Sequence, residues 1–227
     1  MARRKQTRGS CAYCERKMTR GGMSRHLQTC TRRQEAVASV SQKRGINKSL
    51  YHLQVQDAWG GDFWLHLEMP GSATLEDLDH YLRAIWLECC GHLSQFSLGG
   101  WGSDEIPMHT RVNRIFELSM ELTHIYDFGT SSETLVKAVA VREGKATTSH
   151  PVALMARNDQ PEAYCIECGQ PASRLCMECL YEDDEPGMLC DKHAKTHPHE
   201  NYGEPVPLVN SPRLGMCGYA GPAKPPY

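Results

Sequence analysis

Between residues 165 and 199 the chain carries eight thiol or imidazole side chains in pairs: Cys165 and Cys168, Cys176 and Cys179, Cys190 and His193, His197 and His199. The spacing is C-x2-C-x7-C-x2-C-x10-C-x2-H-x3-H-x-H. So short a segment cannot bury a core large enough to hold it folded, so metal binding must supply much of its folding energy. Eight soft or borderline ligands suit two tetrahedral zinc ions with no coordination position left for water, which predicts structural centres. Adjacent pairs could each hold one ion, or alternate pairs could interlock. His197 and His199 can serve one ion only if the chain turns at Pro198, and Cys217 is a spare thiol that could replace either.

A second metal signature stands at the other end. Cys11, Cys14, His26 and Cys30 have the C-x2-C-x11-H-x3-C spacing of a CCHC zinc finger. His26 and Cys30 lie four residues apart, which puts both on one helix face. Met18 and Met23 stand where such fingers place the residues of their small apolar plug. The expected cofactor is therefore zinc, at three ions per chain. Most of the eleven cysteines fall at ligand spacing, beside histidines, in a chain without an apolar export signal, so reduced thiolates rather than disulfides are expected. No apolar run approaches the length of a membrane span, and the expected location is the cytoplasm.

The net charge of −2 hides an asymmetry. Residues 1–50 hold 13 Lys or Arg against Glu15 and Glu35, whereas the other 177 residues hold 12 bases and 25 acids. A basic arm on an acidic body points to DNA or RNA as a partner of residues 1–50. The candidate contacts are Arg3, Arg4, Lys5, Arg8, Arg16, Lys17, Arg20, Arg25, Arg32 and Arg33. Arg20, Ser24 and Arg25 fall near the start of the finger helix, where side chains reach bases or phosphates. The alternative is an arm docked on its own acidic body.

Residues 34–49 read as a polar linker or short helix. From Tyr51 the pattern alternates: Tyr51, Leu53 and Val55, then, beyond Trp59-Gly60-Gly61, Phe63, Leu65, Leu67 and Met69. This predicts a β-hairpin with one buried face and a polar face carrying His52, His66 and Glu68, which could line a cleft. Thr74 with Asp77 starts a helix whose apolar stripe is Leu75, Leu78, Leu82, Ile85 and Cys89. Leu93–Leu98 reads as a strand, Glu117–Phe128 and Glu133–Arg142 as a second hairpin, and Val152–Met155 as a short strand. The fold class expected is α+β: a mainly antiparallel sheet with one helix across a face, flanked by two small zinc modules. The domains run 1–33 (finger), 34–49 (linker), 50–157 (α+β domain) and 163–221 (double-zinc module and tail).

Several segments of the central domain, Tyr51–Pro70, Thr74-Leu75-Glu76-Asp77-Leu78, Leu93-Ser94-Gln95-Phe96 and Tyr126-Asp127-Phe128-Gly129, resemble the Ri-plasmid ORF-3-like domain family. The tail Asn210–Tyr219 is similar to the ending of that family's zinc-containing branch. The resemblance covers about residues 50–221 and implies a fold and a bacterial mobile-element context, with no reaction attached. Thr130-Ser131-Ser132-Glu133-Thr134 depart from the acidic, tryptophan and histidine residues that follow the YDFG motif in many members. The interlocked wiring of the C-terminal ligands, Cys165 and Cys168 with Cys190 and His193, Cys176 and Cys179 with His197 and His199, resembles a B-box. That resemblance implies an unknown protein partner, and the acidic run Glu182–Glu185 argues against phosphate there.

For an enzyme, the best candidate is Cys90 beside His92. A helix C-terminus raises a thiol pKa, however, and Cys89 reads as a small buried hydrophobe. No phosphate loop, open metal site or acid–base pair at a recognisable spacing is present. The chain is therefore expected to be a non-enzymatic zinc-binding protein that binds nucleic acid through its finger. The alternative is a protein-interaction scaffold.

Overall fold

In the computed structural model, which describes residues 6–183, 186–199 and 201–227, alternation and turn chemistry produce a mainly antiparallel α+β fold. The chain opens with β1 (Arg8–Cys11), β2 (Lys17–Thr19), α1 (Arg20–Thr29) and α2 (Thr31–Ser41). Then follow β3 (Lys48–Asp57), β4 (Trp64–Pro70), α3 (Leu75–Leu82) with a π-helical turn at Arg83–Leu87, β5 (Ser94–Ser97) and β6 (Glu105–Ile106). A short α4 (Val112–Ile115) leads into β7 (Glu121–Tyr126), β8 (Ser132–Gly144) and β9 (Ala153–Asn158). The C-terminal segment holds β10 (Arg174–Leu175), α5 (Met177–Tyr181), β11 (Met188–Leu189), α6 (Asp191–Ala194), β12 (Val206–Pro207) and a 3₁₀ turn at Met216–Gly218.

The hairpin β3–β4 forms where the alternation required it, from Leu50 against Pro70 to Gln56 against Trp64. Its loop is closed by Asp57, whose carboxylate accepts from the amides of Gly60, Gly61 and Phe63. Thr74 and Asp77 make the reciprocal cap at the start of α3, each side chain accepting from the other's amide. Leu75, Leu78, Leu82 and Ile85 join Leu53, Val55, Leu65, Leu67, Val136 and Ala138 of the strands in one buried core.

Two features differ from the sequence expectation. The finger extends the central sheet, whose order is β2-β1-β9-β4-β3-β8-β7-β5-β6. Strand β1 pairs with β9, Gly9 opposite Asn158 and Cys11 opposite Ala156. Gly9 is required there, because a Cβ would lie 2.1 Å from the Arg157 carbonyl oxygen. Second, the polar face of the first hairpin is no cleft. His52, His66 and Glu68 are all buried. Met23 and Leu27 of α1 share a second apolar cluster with Trp64 and Met155, and Met18 packs at its edge. The finger's plug is thus completed by the sheet it covers, which lets thirty residues stay folded.

The carboxylate and imidazoles trapped by that docking are paired, as burial demands, while Arg33 Nε and Arg142 Nη1 stay buried without a hydrogen-bond partner. Glu68 accepts from Arg33 at 2.8 Å and from Arg142 at 2.6 and 2.8 Å. His52 Nε2 lies 2.8 Å from His66 Nδ1, and His66 Nε2 lies 3.2 Å from the Arg20 carbonyl oxygen. Since a carbonyl only accepts, His66 carries its proton on Nε2 and takes the His52 proton at Nδ1, leaving both rings neutral. Burial pushes His52 down to about 3 and His66 to about 4.

Candidate metal centres

Each finger ligand is delivered by local geometry. The turn between β1 and β2 closes through the Cys11 amide donating to the Arg16 carbonyl at 3.0 Å, with Glu15 at positive φ. Helix α1 presents His26, and Cys30 ends that helix and starts the next. His26 Nε2 lies 3.2 Å from Cys14 Sγ, and the four ligand atoms lie within 4.8 Å of one another. Burial raises the Cys11 thiol to about 11, so an arriving cation must displace its proton.

In the C-terminal segment the alternate pairs interlock. Cys165, Cys168, Cys190 and His193 form one group; Cys176, Cys179, His197 and His199 form the other. The first knuckle turns through Gly169 at φ +68, with the Gly169 amide donating to the Cys165 carbonyl. In the second, Cys176 caps α5 and its Sγ accepts from the Cys179 amide. The small sheet β11-β10-β12 ties both knuckles together. Cys165 Sγ lies 3.3 Å from His193 Nδ1, and Cys179 Sγ lies 3.2 Å from both His197 Nε2 and His199 Nδ1. Burial works against the Cys165 thiolate, yet amides including that of Cys190 and the His193 ring bring it down to about 6, suited to a metal ligand. Glu167 meets Nδ1 of His197 at 3.0 Å and orients that ring. The chain does turn at Pro198, so His197 and His199 come together, Nε2 of the first 3.2 Å from Nδ1 of the second.

A tetrahedral zinc ion with Zn–S of about 2.3 Å and Zn–N of about 2.0 Å puts its ligand atoms roughly 3.3–3.8 Å apart. The ligand pairs in direct contact, 3.2–3.9 Å apart, match that, and all ligand atoms of each group lie within 4.8 Å of one another. The donor sets, Cys3His twice and Cys2His2 once, are zinc sets, and each is closed.

The expected count of three is corrected. Four Cys/His clusters could hold metal ions, the fourth being Cys89, Cys90, His92 and Cys217. Cys217 is therefore no substitute for His197 or His199, and Cys89 is more than a small hydrophobe on the helix stripe. Cys90 Sγ lies 3.0 Å from His92 Nε2, and the adjoining thiols of Cys217 and Cys89 push its thiol up to about 12. No spacing rule could have found this group: 125 residues separate His92 from Cys217.

The basic candidates divide into three sets. Arg3, Arg4 and Lys5 lie outside the described residues, as do Asp184 and Glu185 of the acidic run. Arg33 and Arg20 face inward, Arg33 meeting buried Glu68 and the partly buried Arg20 feeling Asp57 and Glu121, while Lys17 makes an exposed surface pair with Asp159 at 2.8 Å. Arg8, Arg16, Arg25 and Arg32 are exposed, Arg32 beside Glu35 at 3.3 Å. Two of the helix-start positions, Gly21 and Gly22, offer no side chain to a base. Among the described residues no helix is long and apolar enough to cross a membrane.

No family model matches the chain, and no curated protein does. A solved structure, that of a protein of unknown function from Methanosarcina mazei Go1, is similar over 46% of this chain and 66% of its own, at 19% identity and a TM-score of 0.39.

Proposed function

We propose that the protein is a non-catalytic interaction scaffold organised by zinc, which binds another protein through its acidic double-zinc module and exposed aromatic loops. The observation that carries this reading is the docking of the basic arm on its own body. Arg33 is spent on buried Glu68, Arg20 sits half-buried near Asp57 and Glu121, and Lys17 pairs with Asp159 at the surface. Trp101 and Phe128 meet edge to face at 5.4 Å while each remains over 40% exposed, the kind of aromatic pair that anchors protein interfaces. The closed ligand sets leave no metal position for a substrate or a water nucleophile.

A second reading has its own support. Arg8, Arg16 and Arg25 stay exposed on the finger without a carboxylate partner among the described contacts, and they suit phosphate contacts more than base reading. A bacterial mobile-element context rests on the family resemblance of residues 50–221 alone.

Binding of labelled duplex DNA, single-stranded DNA and RNA across a salt series separates the two. The comparison is the intact protein against Arg16→Ala/Arg25→Ala and Cys11→Ser/Cys14→Ser variants. The scaffold reading expects binding at low salt only, indifferent to either variant. Binding that survives physiological salt and weakens in both would replace it with the nucleic-acid reading.

A further inference from the structure

The fourth cluster joins two segments that sequence spacing keeps apart. Cys89, Cys90 and His92 stand where the helical chain ends: the backbone leaves the helix at Glu88 and reverses at Gly91, φ +80. Glu88 holds that reversal, accepting from the Gly91 amide at 2.6 Å and the Tyr126 hydroxyl at 3.0 Å. Cys217 arrives on the C-terminal tail, in a tight turn where it takes φ +51 between Gly215 and Gly218. A left-handed cysteine is uncommon, and here that conformation aims its thiol at the cluster.

The tail is also fixed by its own contacts. Ser211 donates to the Trp86 carbonyl at 2.6 Å. The buried Arg213 guanidinium meets Asp127 and donates to the Thr130 carbonyl and the Ser132 hydroxyl, each at 3.0 Å.

We propose that Cys89, Cys90, His92 and Cys217 form a fourth zinc site, and that its ion clasps the C-terminal tail to the end of the helix. The four ligand atoms lie within 4.8 Å of one another. Cys90 Sγ is 3.7 Å from Cys89 Sγ, 3.5 Å from Cys217 Sγ and 3.0 Å from His92 Nε2, and Cys217 Sγ is 3.5 Å from that nitrogen. At 3.0–3.7 Å these spacings lie close to the roughly 3.3–3.8 Å of a tetrahedral ion, the Cys90–His92 pair being the tightest. Three thiolates and a neutral imidazole leave zinc with one net negative charge. Arg213 offsets it, with Nε and Nη2 each 3.4 Å from Cys89 Sγ. One guanidinium thereby serves both the tail's ion pair and the metal's outer shell. A Cys90–Cys217 disulfide would use only two of the four groups and would leave Cys89 and His92 converging without cause. Because Cys90 and Cys217 are exposed, this ion is the one a chelator reaches first.

The test is cadmium-113 NMR and native mass spectrometry on the full chain, purified under reducing conditions and loaded with the metal. Four ions are expected, three in Cys3His surroundings and one in Cys2His2. Cys217→Ser should hold three ions and show faster amide exchange at residues 210–221, and Cys217→His should restore the fourth. Two Cys3His resonances in the intact protein would overturn the proposal even if the variants fail to fold. Four ions retained by Cys217→Ser, or a Cys90–Cys217 disulfide in metal-loaded protein, would overturn it as well.

Discussion

The buried histidine pair should make the junction between finger and sheet acid-sensitive. His52 and His66 are held neutral, at about 3 and about 4, against an ordinary value of 6.5. Between those values the unfolded chain binds protons that the folded chain refuses, so stability is fully present above pH 6.5 and falls as the pH drops. Integrating from pH 7 to pH 5 gives a loss of about 2 kcal/mol for each imidazole, or roughly 4 kcal/mol for the pair. The geometry explains the refusal: a proton added at His66 Nδ1 would face the His52 donor across 2.8 Å, with Arg33 nearby. Zinc ligands also titrate in acid, so the measurement is a difference. Urea unfolding at pH 5, 6 and 7 would compare the protein with a His52→Gln/His66→Gln variant, whose amides keep a donor and an acceptor but do not titrate. The variant should lose about 3–4 kcal/mol less between pH 7 and pH 5. Parallel losses in the two proteins would refute the neutral, buried pair.

Two other substitutions probe separate parts of the fold. Cys176→Ser leaves the second interlocked centre one ligand short; it should unfold the C-terminal module while hydrogen exchange in β3, β4, β7 and β8 stays slow, and an unchanged metal count and melting profile would contradict the assigned ligands. Gly9→Ala forces a methyl to within 2.5 Å of Asn158 Cα and 2.1 Å of the Arg157 oxygen. Separation of β1 from β9 should cost about 2 kcal/mol or more and raise protease sensitivity at residues 6–33, and a stability within about 0.5 kcal/mol of the parent would disprove the close approach.

Features that depend on neighbours along the chain were legible in the amino-acid sequence. A C-x2-C knuckle, a histidine one helical turn from a cysteine, a Thr–Asp cap and a period-two strand are all decided within a few residues. The three clusters built from such local pairs, the hairpins β3–β4 and β7–β8 and the start of α3 accordingly lie where the pattern put them. Helix α3 is shorter than its apolar stripe implied, because the backbone shifts to a π-helical turn at Arg83 before it reaches Cys89.

Tertiary structure alone decided what meets across long stretches of chain. The alternation marked His52, His66 and Glu68 as a polar face, but polarity cannot reveal whether water or another element covers it. Here the finger covers it, because Met23 and Leu27 lack a core of their own and find one in Trp64 and Met155. The same docking turned Arg33 from a candidate phosphate contact into the partner of a buried carboxylate. Likewise, nothing near Cys217 in sequence points to Cys89, Cys90 and His92. Their meeting depends on the tail's path over the end of α3, held by Arg213 and Asp127, and a spacing pattern carries no information about such a path.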